Sequence, residues 1–354
     1  MKTKNVLALA TVVSIFSGCG SVSRENFKQE ISNPVESIIY YASLAGNSHN
    51  TQPWFVKVEN DSIIHLKADF SRKLHIVDPD ARGMFISLGA FIENFELAAS
   101  SLGYKASIEL TAANKNDSNI ATIHLSKFQK SGFDLSQIEN RRTLRTPFKK
   151  IEISKEHLKK ITDYNSEIFY FSSSSKEGKY IAGQTLEAYT QQALDDQSKQ
   201  ELANWMRFSN SDVEKYRDGL TTSGMGITGF GGLFVRNFYK PEDSMKESFI
   251  KTGIEKTKEQ TNNCGGWLVI IQKEDSANSW IKTGRLYERL NLACRDLGIG
   301  FHPMNQIIEE ESFEKNVNTH LSLPGVIQFV ARIGYVDEYP KANSVRRSVK
   351  EIIR

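Results

Sequence analysis

A chain of 354 residues, 39% of them hydrophobic, is long enough to bury one large core or two ordinary ones, which excludes a disordered or fibrous class. Its 45 Lys+Arg against 42 Asp+Glu leave a formal charge of only +3 with no concentrated basic stretch, and this argues against nucleic acid as a partner. Cys19, Cys264 and Cys294 form no C-x-x-C pair and the seven histidines show no metal-ligand spacing, so no metal site or thiol redox chemistry is expected.

In chain order, Lys2 and Lys4 precede an apolar run at 6–16 that is too short to cross a bilayer as a mature helix, so residues 1–19 read as a signal peptide. The run ends in Phe16-Ser17-Gly18-Cys19-Gly20, which resembles a bacterial lipobox with Phe16 where Leu is usual. That resemblance implies lipidation at Cys19 and a periplasmic lipoprotein held to the membrane by its lipid anchor alone; an ordinary cleaved signal is the alternative. The absence of a twin arginine points to Sec export. Residues 20–34 are polar and read as a tether.

Residues 35–44 have helical spacing and stop at Ala45-Gly46-Asn47-Ser48. Strands are expected at 54–58 and 63–68 around Asn60-Asp61, and a short one at 75–77 closed by Asp78-Pro79-Asp80. A long helix at 84–102 carries the stripe Phe85, Leu88, Ile92, Phe95, Ala99 and Leu102 and ends at Gly103. Polar loops occupy 114–119 and 172–175. Further on, 185–194 and 245–259 read as helices, 267–272 as a strand, and 276–297 as a second long helix closed by Gly298. An offset of 195 residues sets Gly89 on Gly284 and also matches Ile86 with Ile281, Glu93 with Glu288, Leu97 with Leu292, Ala98 with Ala293, Leu102 with Leu297 and Gly103 with Gly298. Periodicity does not dictate the Gly and Glu matches, so the chain reads as an internal duplication with halves at 35–132 and 133–354 that pack as one body.

Two strings carry chemistry. Asn47-Ser48-His49-Asn50-Thr51-Gln52-Pro53-Trp54 presents amides and hydroxyls without charge, as the polar edge of an isoalloxazine ring requires, although Asn, Ser and Thr also simply make turns. Arg141-Arg142-Thr143-Leu144-Arg145-Thr146-Pro147 flanks a hydroxyl with guanidinium forks suited to a phosphate monoester, or is a solvated basic turn. Glycines at 224–232 form either a cap or a flexible loop; with no G-x-G-x-x-G between strand and helix, they do not indicate a dinucleotide fold.

The first string is similar to the loop-strand motif of nitroreductases, Asn-x-Gln-Pro-Trp after small residues. The stretch around Arg72, Val77-Asp78-Pro79, Arg82 and Ser87-Leu88-Gly89-Ala90 resembles the Acg branch of FMN-binding oxidoreductases, in which two nitroreductase-like halves share one chain. The resemblance covers most of the chain beyond Pro34 and weakens over 164–240. It implies an α+β fold, nitroreductase-like and duplicated, with mixed antiparallel sheets flanked by helices. It further implies one FMN per chain, its ring held by Asn47, Ser48, His49, Asn50 and Gln52. The phosphate would be held by Arg141, Arg142, Thr143 and Arg145, with Arg347, or in its place Arg346, as a second clamp. Asn305 and Gln306 follow the second long helix where the family brings main-chain donors to the flavin, so they are carried over too. The first half lacks the arginine string and the second lacks the Asn-x-Gln-Pro-Trp loop, so only one complete site is expected in a monomer built as a pseudo-dimer, alone or in a further oligomer. The implied function is two-electron transfer through the flavin to a nitro- or quinone-type small molecule from an unidentified donor, with no protein group as catalyst; the alternative is an exported flavin-binding or flavin-sequestering lipoprotein without efficient NAD(P)H turnover.

Overall fold

Asn33 caps the first helix: its side-chain oxygen accepts the Glu36 amide at 2.9 Å, Pro34 occupies the first turn, and α1 runs Pro34–Ser43. The computed structural model describes residues 21–27, 29–163 and 165–354, so the expected signal peptide and Cys19 lie outside the described residues. Strands β1 (Trp54–Asn60) and β2 (Ile63–Ala68) pair as expected. Residues 75–77, expected as a strand, instead turn, because the buried Glu201 carboxylate accepts the amides of Ile76 at 3.1 Å and Val77 at 3.0 Å, leaving no donors for a ladder. Asp78 then accepts the amides of Gly83 (3.0 Å) and Met84 (2.9 Å) at the start of helix α2 (Arg82–Ser101). Strands β3 (Tyr104–Leu110) and β4 (Asn119–Lys127) complete an antiparallel sheet of order β1-β2-β4-β3.

The second part opens with α3 (Ser136–Asn140), α4 (Lys155–Thr162) and β5 (Ile168–Ser172). An insertion follows: α5 (Lys176–Leu194), α6 (Asp196–Asn204), β6 (Met206–Arg207), α7 (Asn210–Tyr216), β7 (Leu220–Thr221), α8 (Gly229–Phe238) and α9 (Glu247–Asn262). Helix α5 starts nine residues before the expected 185 because Ser175 caps it through the Gly178 amide at 2.9 Å. Then come β8 (Gly266–Gln272), α10 (Ala277–Asp296), β9 (Ile299–Pro303), α11 (Gln306–Glu309), α12 (Glu311–Leu321), β10 (Val326–Tyr335) and α13 (Val349–Ile352). The second sheet is antiparallel, of order β5-β8-β10-β9. Reading β5, β8, β9 and β10 for β1, β2, β3 and β4, the two sheets have the same order and pairing, with the insertion standing where the first has only the Asp61-Ser62 turn.

Helices α2 and α10 pack on each other between the sheets, and the contact is reciprocal. A Cβ on Gly89 would lie 2.0 Å from the Ile281 carbonyl oxygen, and one on Gly284 would lie 1.9 Å from that of Ile86. Only glycine lets these backbones approach so closely. Phe85 meets Trp280 edge-on at 5.9 Å; Glu93 accepts from Arg289, and Glu288 from Asn94 at 3.0 Å. Each of these pairs maps onto itself or its mate under the 195-residue offset, which is the pattern of a two-fold contact.

Both chain ends depart from the expected layout. The stretch 20–34, expected as a free tether, is docked from Val22 on: Val22 donates to Asn210 (3.3 Å), Arg24 to the Glu139 carbonyl (2.5 Å), and Arg217 lies over the Phe27 ring. Ile353 bridges Val56 and the Arg354 amide donates to the Val56 carbonyl at 2.9 Å, so the last residues of the second half pack on the first. Cys264 and Cys294 are free and buried. Among the described residues no helix is long and apolar enough to cross a membrane, and no cluster of His, Cys, Asp and Glu could hold a metal.

Candidate functional site

The loop after α1 passes directly over Tyr287: a Cβ at Gly46 would lie 1.9 Å from its hydroxyl oxygen, so only glycine fits. Beyond it His49, Asn50 and Gln52 all take positive φ, at 47°, 54° and 51°, a conformation that persists only where surroundings enforce it. They do. The Asn47 side-chain oxygen accepts the Gln52 amide at 2.8 Å; Asn50 donates to the Gly219 (3.2 Å) and Val345 (3.3 Å) carbonyls and accepts from Arg346 (2.9 Å). Gln52 donates to the Arg217 carbonyl (2.9 Å) and accepts the Arg347 amide (2.9 Å). Asn50 and Gln52, expected at a ring edge, therefore spend their amides on fixing the loop to the insertion and the C-terminal segment.

Ser48 and His49 are less committed. The Ser48 amide donates to Ser87 Oγ at 3.3 Å, which sets it over the first turn of α2. His49 Nδ1 is buried without a hydrogen-bond partner, and burial together with the Arg145 guanidinium draws its pKa down to about 4. The imidazole is neutral at neutral pH.

Opposite this loop the arginine string faces a cleft of about 680 Å³ counted out to open solvent. Its walls include Asn47 and Asn50 from the first half, and Arg141, Thr143, Arg145 and Arg346 from the second. Arg141 is buried, 2.9 Å from Glu288 and donating to the Leu44 carbonyl at 2.6 Å. Burial is the largest single influence and works against its charge, but Glu288, Tyr287 and Tyr339 together outweigh it and raise its pKa. Arg346 bonds only main-chain carbonyls and Asn50, and burial, with Arg141 close by, lowers its pKa to about 9. Arg145 donates to the Gly224 carbonyl (2.8 Å) and Arg142 to those of Ser223 (3.0 Å) and Lys341 (2.8 Å). The glycine-rich run is thus split: its start walls the cleft and its end forms α8.

Among the described residues five arginines, Arg24, Arg141, Arg142, Arg145 and Arg346, therefore line a cleft with no carboxylate in its walls, and Glu288 behind it pairs with Arg141. The structure also reverses the order of the two C-terminal arginines. Arg346 faces the cleft, whereas Arg347 points the other way, to the carbonyls of Gln52 (2.7 Å) and Trp54 (2.8 Å). Asn305 and Gln306 are not brought to the cleft: Asn305 accepts the Val330 amide at 2.8 Å and braces β10.

Several residues in or behind the cleft wall carried little sequence signal. Arg24 lines the cleft although it was expected in a tether. Tyr287 and Glu288 lie on α10, where an acidic residue on a buried face was a clue visible beforehand. Arg332 on β10 is fully buried, stacked on Phe148 at 4.0 Å, donating to His302 (3.0 Å) and the Thr146 carbonyl (2.8 Å), and so holds the arginine string in place.

Against known proteins, 89 residues are 32% identical to two Mycobacterium tuberculosis proteins named as NAD(P)H nitroreductases, from strains CDC 1551 / Oshkosh and ATCC 25618 / H37Rv. The alignment covers 25% of this chain and spans about a quarter (26%) of each relative. Among solved structures, a nitroreductase from Anabaena variabilis aligns with 89% of this chain and 92% of its own at 12% identity and TM-score 0.49. The FMN-dependent nitroreductase NfnB from Mycobacterium smegmatis, solved with NADPH, aligns with 62% of this chain and 99% of its own at 14% identity and TM-score 0.38. The Nitroreductase family itself matches residues 138–335, from helix α3 just ahead of the arginine string through the closing strand β10. That match spans more than half of the residues, and the chain belongs to the nitroreductase family.

Proposed function

We propose that the cleft holds one FMN per chain and that the protein is a flavin-dependent oxidoreductase passing two electrons to a nitro- or quinone-type acceptor. The observation that carries this reading is the excess of guanidinium over carboxylate at the cleft, where five arginines line the walls and Glu288, behind them, pairs with Arg141. Buried positive charge without acidic partners is costly, and a phosphate monoester would relieve it through forked, charge-assisted hydrogen bonds. Two buried acceptor-capable atoms without partners, His49 Nδ1 and Asn343 Oδ1, suit the polar edge of a planar ligand.

In this reading Arg142, Thr143, Arg145 and Arg346 hold the phosphate, and Glu288 keeps Arg141 charged behind them. Asn47, on the cleft wall, faces the ring with Ser48 and His49 next to it in the chain, while Asn50, also on the wall, and Gln52 act through the loop and Arg346. Bound FMN supplies the hydride chemistry itself. The chain binds, orients and shields it, and the neutral His49 adds a polar group without charge.

Sheet order and the reciprocal α2–α10 contact support a duplicated origin, as in the Acg branch, so that one chain takes the place of a dimer. Lipidation at Cys19 and a periplasmic location complete the proposal. Purified protein should bind FMN, a chemical reductant should bleach it at once, and anaerobic NADH or NADPH should bleach it slowly, since the chain has no dinucleotide fingerprint. Flavin that binds but resists both nucleotides would leave sequestration as the function; a protein that takes up no flavin would defeat both readings.

A further inference from the structure

Helix α8 exposes Phe230, Phe234 and Phe238 at 89%, 55% and 70%. Their i, i+4, i+8 spacing puts all three on one face, and Phe234 touches Phe238 at 4.9 Å, so they form one apolar stripe with nothing covering it among the described residues. From Gly219 to Lys240 the segment carries Arg236 and Lys240 and no acidic residue.

We propose that this stripe is a membrane-docking face that inserts at the headgroup boundary of an anionic bilayer. Helix α8 itself pairs an apolar face of Phe and Leu with Arg236 as its one charge; Lys240 lies just beyond it, and Glu242 and Asp243 only after that. A Phe-rich face with basic charge beside it is a feature of interfacial helices. The start of the described chain supplies the second argument. Val22 is held by Asn210 at 3.3 Å, two residues from Phe208, whose ring meets Tyr239 at 6.0 Å; Tyr239 in turn meets Phe234 at 6.1 Å. Cys19 is three residues before Val22 and reaches at most about 10 Å beyond it. A lipid on Cys19 would thus tether the chain start to the bilayer while that start is itself held to the helix that precedes the phenylalanine stripe, and the stripe would add a second contact. Gly219, Leu220, Thr221 and Gly224, which line the cleft, precede α8 by a few residues, so docking would set the cleft mouth near the membrane surface.

This inference rests in part on the lipidation reading, so its test removes the lipid. The chain from Gly20, which keeps every described residue, is sedimented with vesicles of phosphatidylethanolamine and phosphatidylglycerol and with vesicles of phosphatidylcholine alone. Binding to the anionic vesicles is expected, at least tenfold weaker in the Phe230→Ser, Phe234→Ser, Phe238→Ser variant, with an unchanged thermal midpoint because the three rings are exposed. Absence of binding, or equal binding by the variant, would overturn the proposal. A wild-type dimer that the variant converts to monomer would also overturn it and make the stripe a self-association face. Mass spectrometry of the native N-terminus judges Cys19 separately.

Discussion

Arg145→Ala isolates the phosphate end of the proposed site. Within the protein the Arg145 side chain makes one hydrogen bond, to the Gly224 carbonyl at 2.8 Å, so its removal strands no carboxylate. The fold should lose about 1 kcal/mol, the net contribution of one such bond. Binding is different. A charge-assisted hydrogen bond to phosphate contributes about 1.5–3 kcal/mol, which weakens FMN binding roughly ten- to a hundredfold. Burial and the neighbouring Arg142 both lower the Arg145 pKa, so a dianion relieves repulsion as well, and the upper part of that range is expected. Quenching of flavin fluorescence, titrated with FMN and with riboflavin, reads the effect. The two ligands share a ring and differ in the phosphate, so the variant should lose its preference for FMN while riboflavin affinity holds. Unchanged FMN affinity, or equal weakening of both ligands, would refute the assignment of Arg145.

Arg141→Ala should behave oppositely, because it leaves the buried Glu288 without a cation; about 3–5 kcal/mol of stability should be lost in denaturant melts and partly recovered by adding Glu288→Gln. His49 has a folded pKa near 4, below its ordinary 6.5, so its contribution to stability is present above about pH 6.5 and lost as pH falls toward 4; His49→Gln should flatten the pH dependence in that window. Gly89→Ala and Gly284→Ala each force a Cβ to within about 2 Å of a carbonyl across the helix contact, and both should cost about 3 kcal/mol or more, to a similar extent if the contact is truly reciprocal.

Long-range periodicity made α2 and α10 legible from the residues, and Gly103 and Gly298 marked their ends. Strand β3 was missed because its burial alternates between half-exposed and exposed positions, leaving no apolar face to read. The turn at 75–77 was misread because Glu201, more than a hundred residues away, takes its amides. At the site, chemistry was more legible than direction. The arginine string pointed to a cationic patch, and it does line a cleft rich in arginine, but only the path of the chain after β10 decides that Arg346 and not Arg347 faces that cleft. Asn50 and Gln52 had the right chemistry for a ring edge and are used up by carbonyls at 217, 219 and 345. Arg24 was hidden because a polar stretch ahead of the first helix gives no sign that it docks.

The central claim is that one anion-seeking cleft, assembled from both halves, takes one FMN. Calorimetric titration of the flavin-free chain with FMN tests it most directly. The account predicts a single site per chain whose affinity collapses when Arg145 and Arg346 are both replaced by alanine. Two FMN per chain, or a single site indifferent to both arginines, would contradict it.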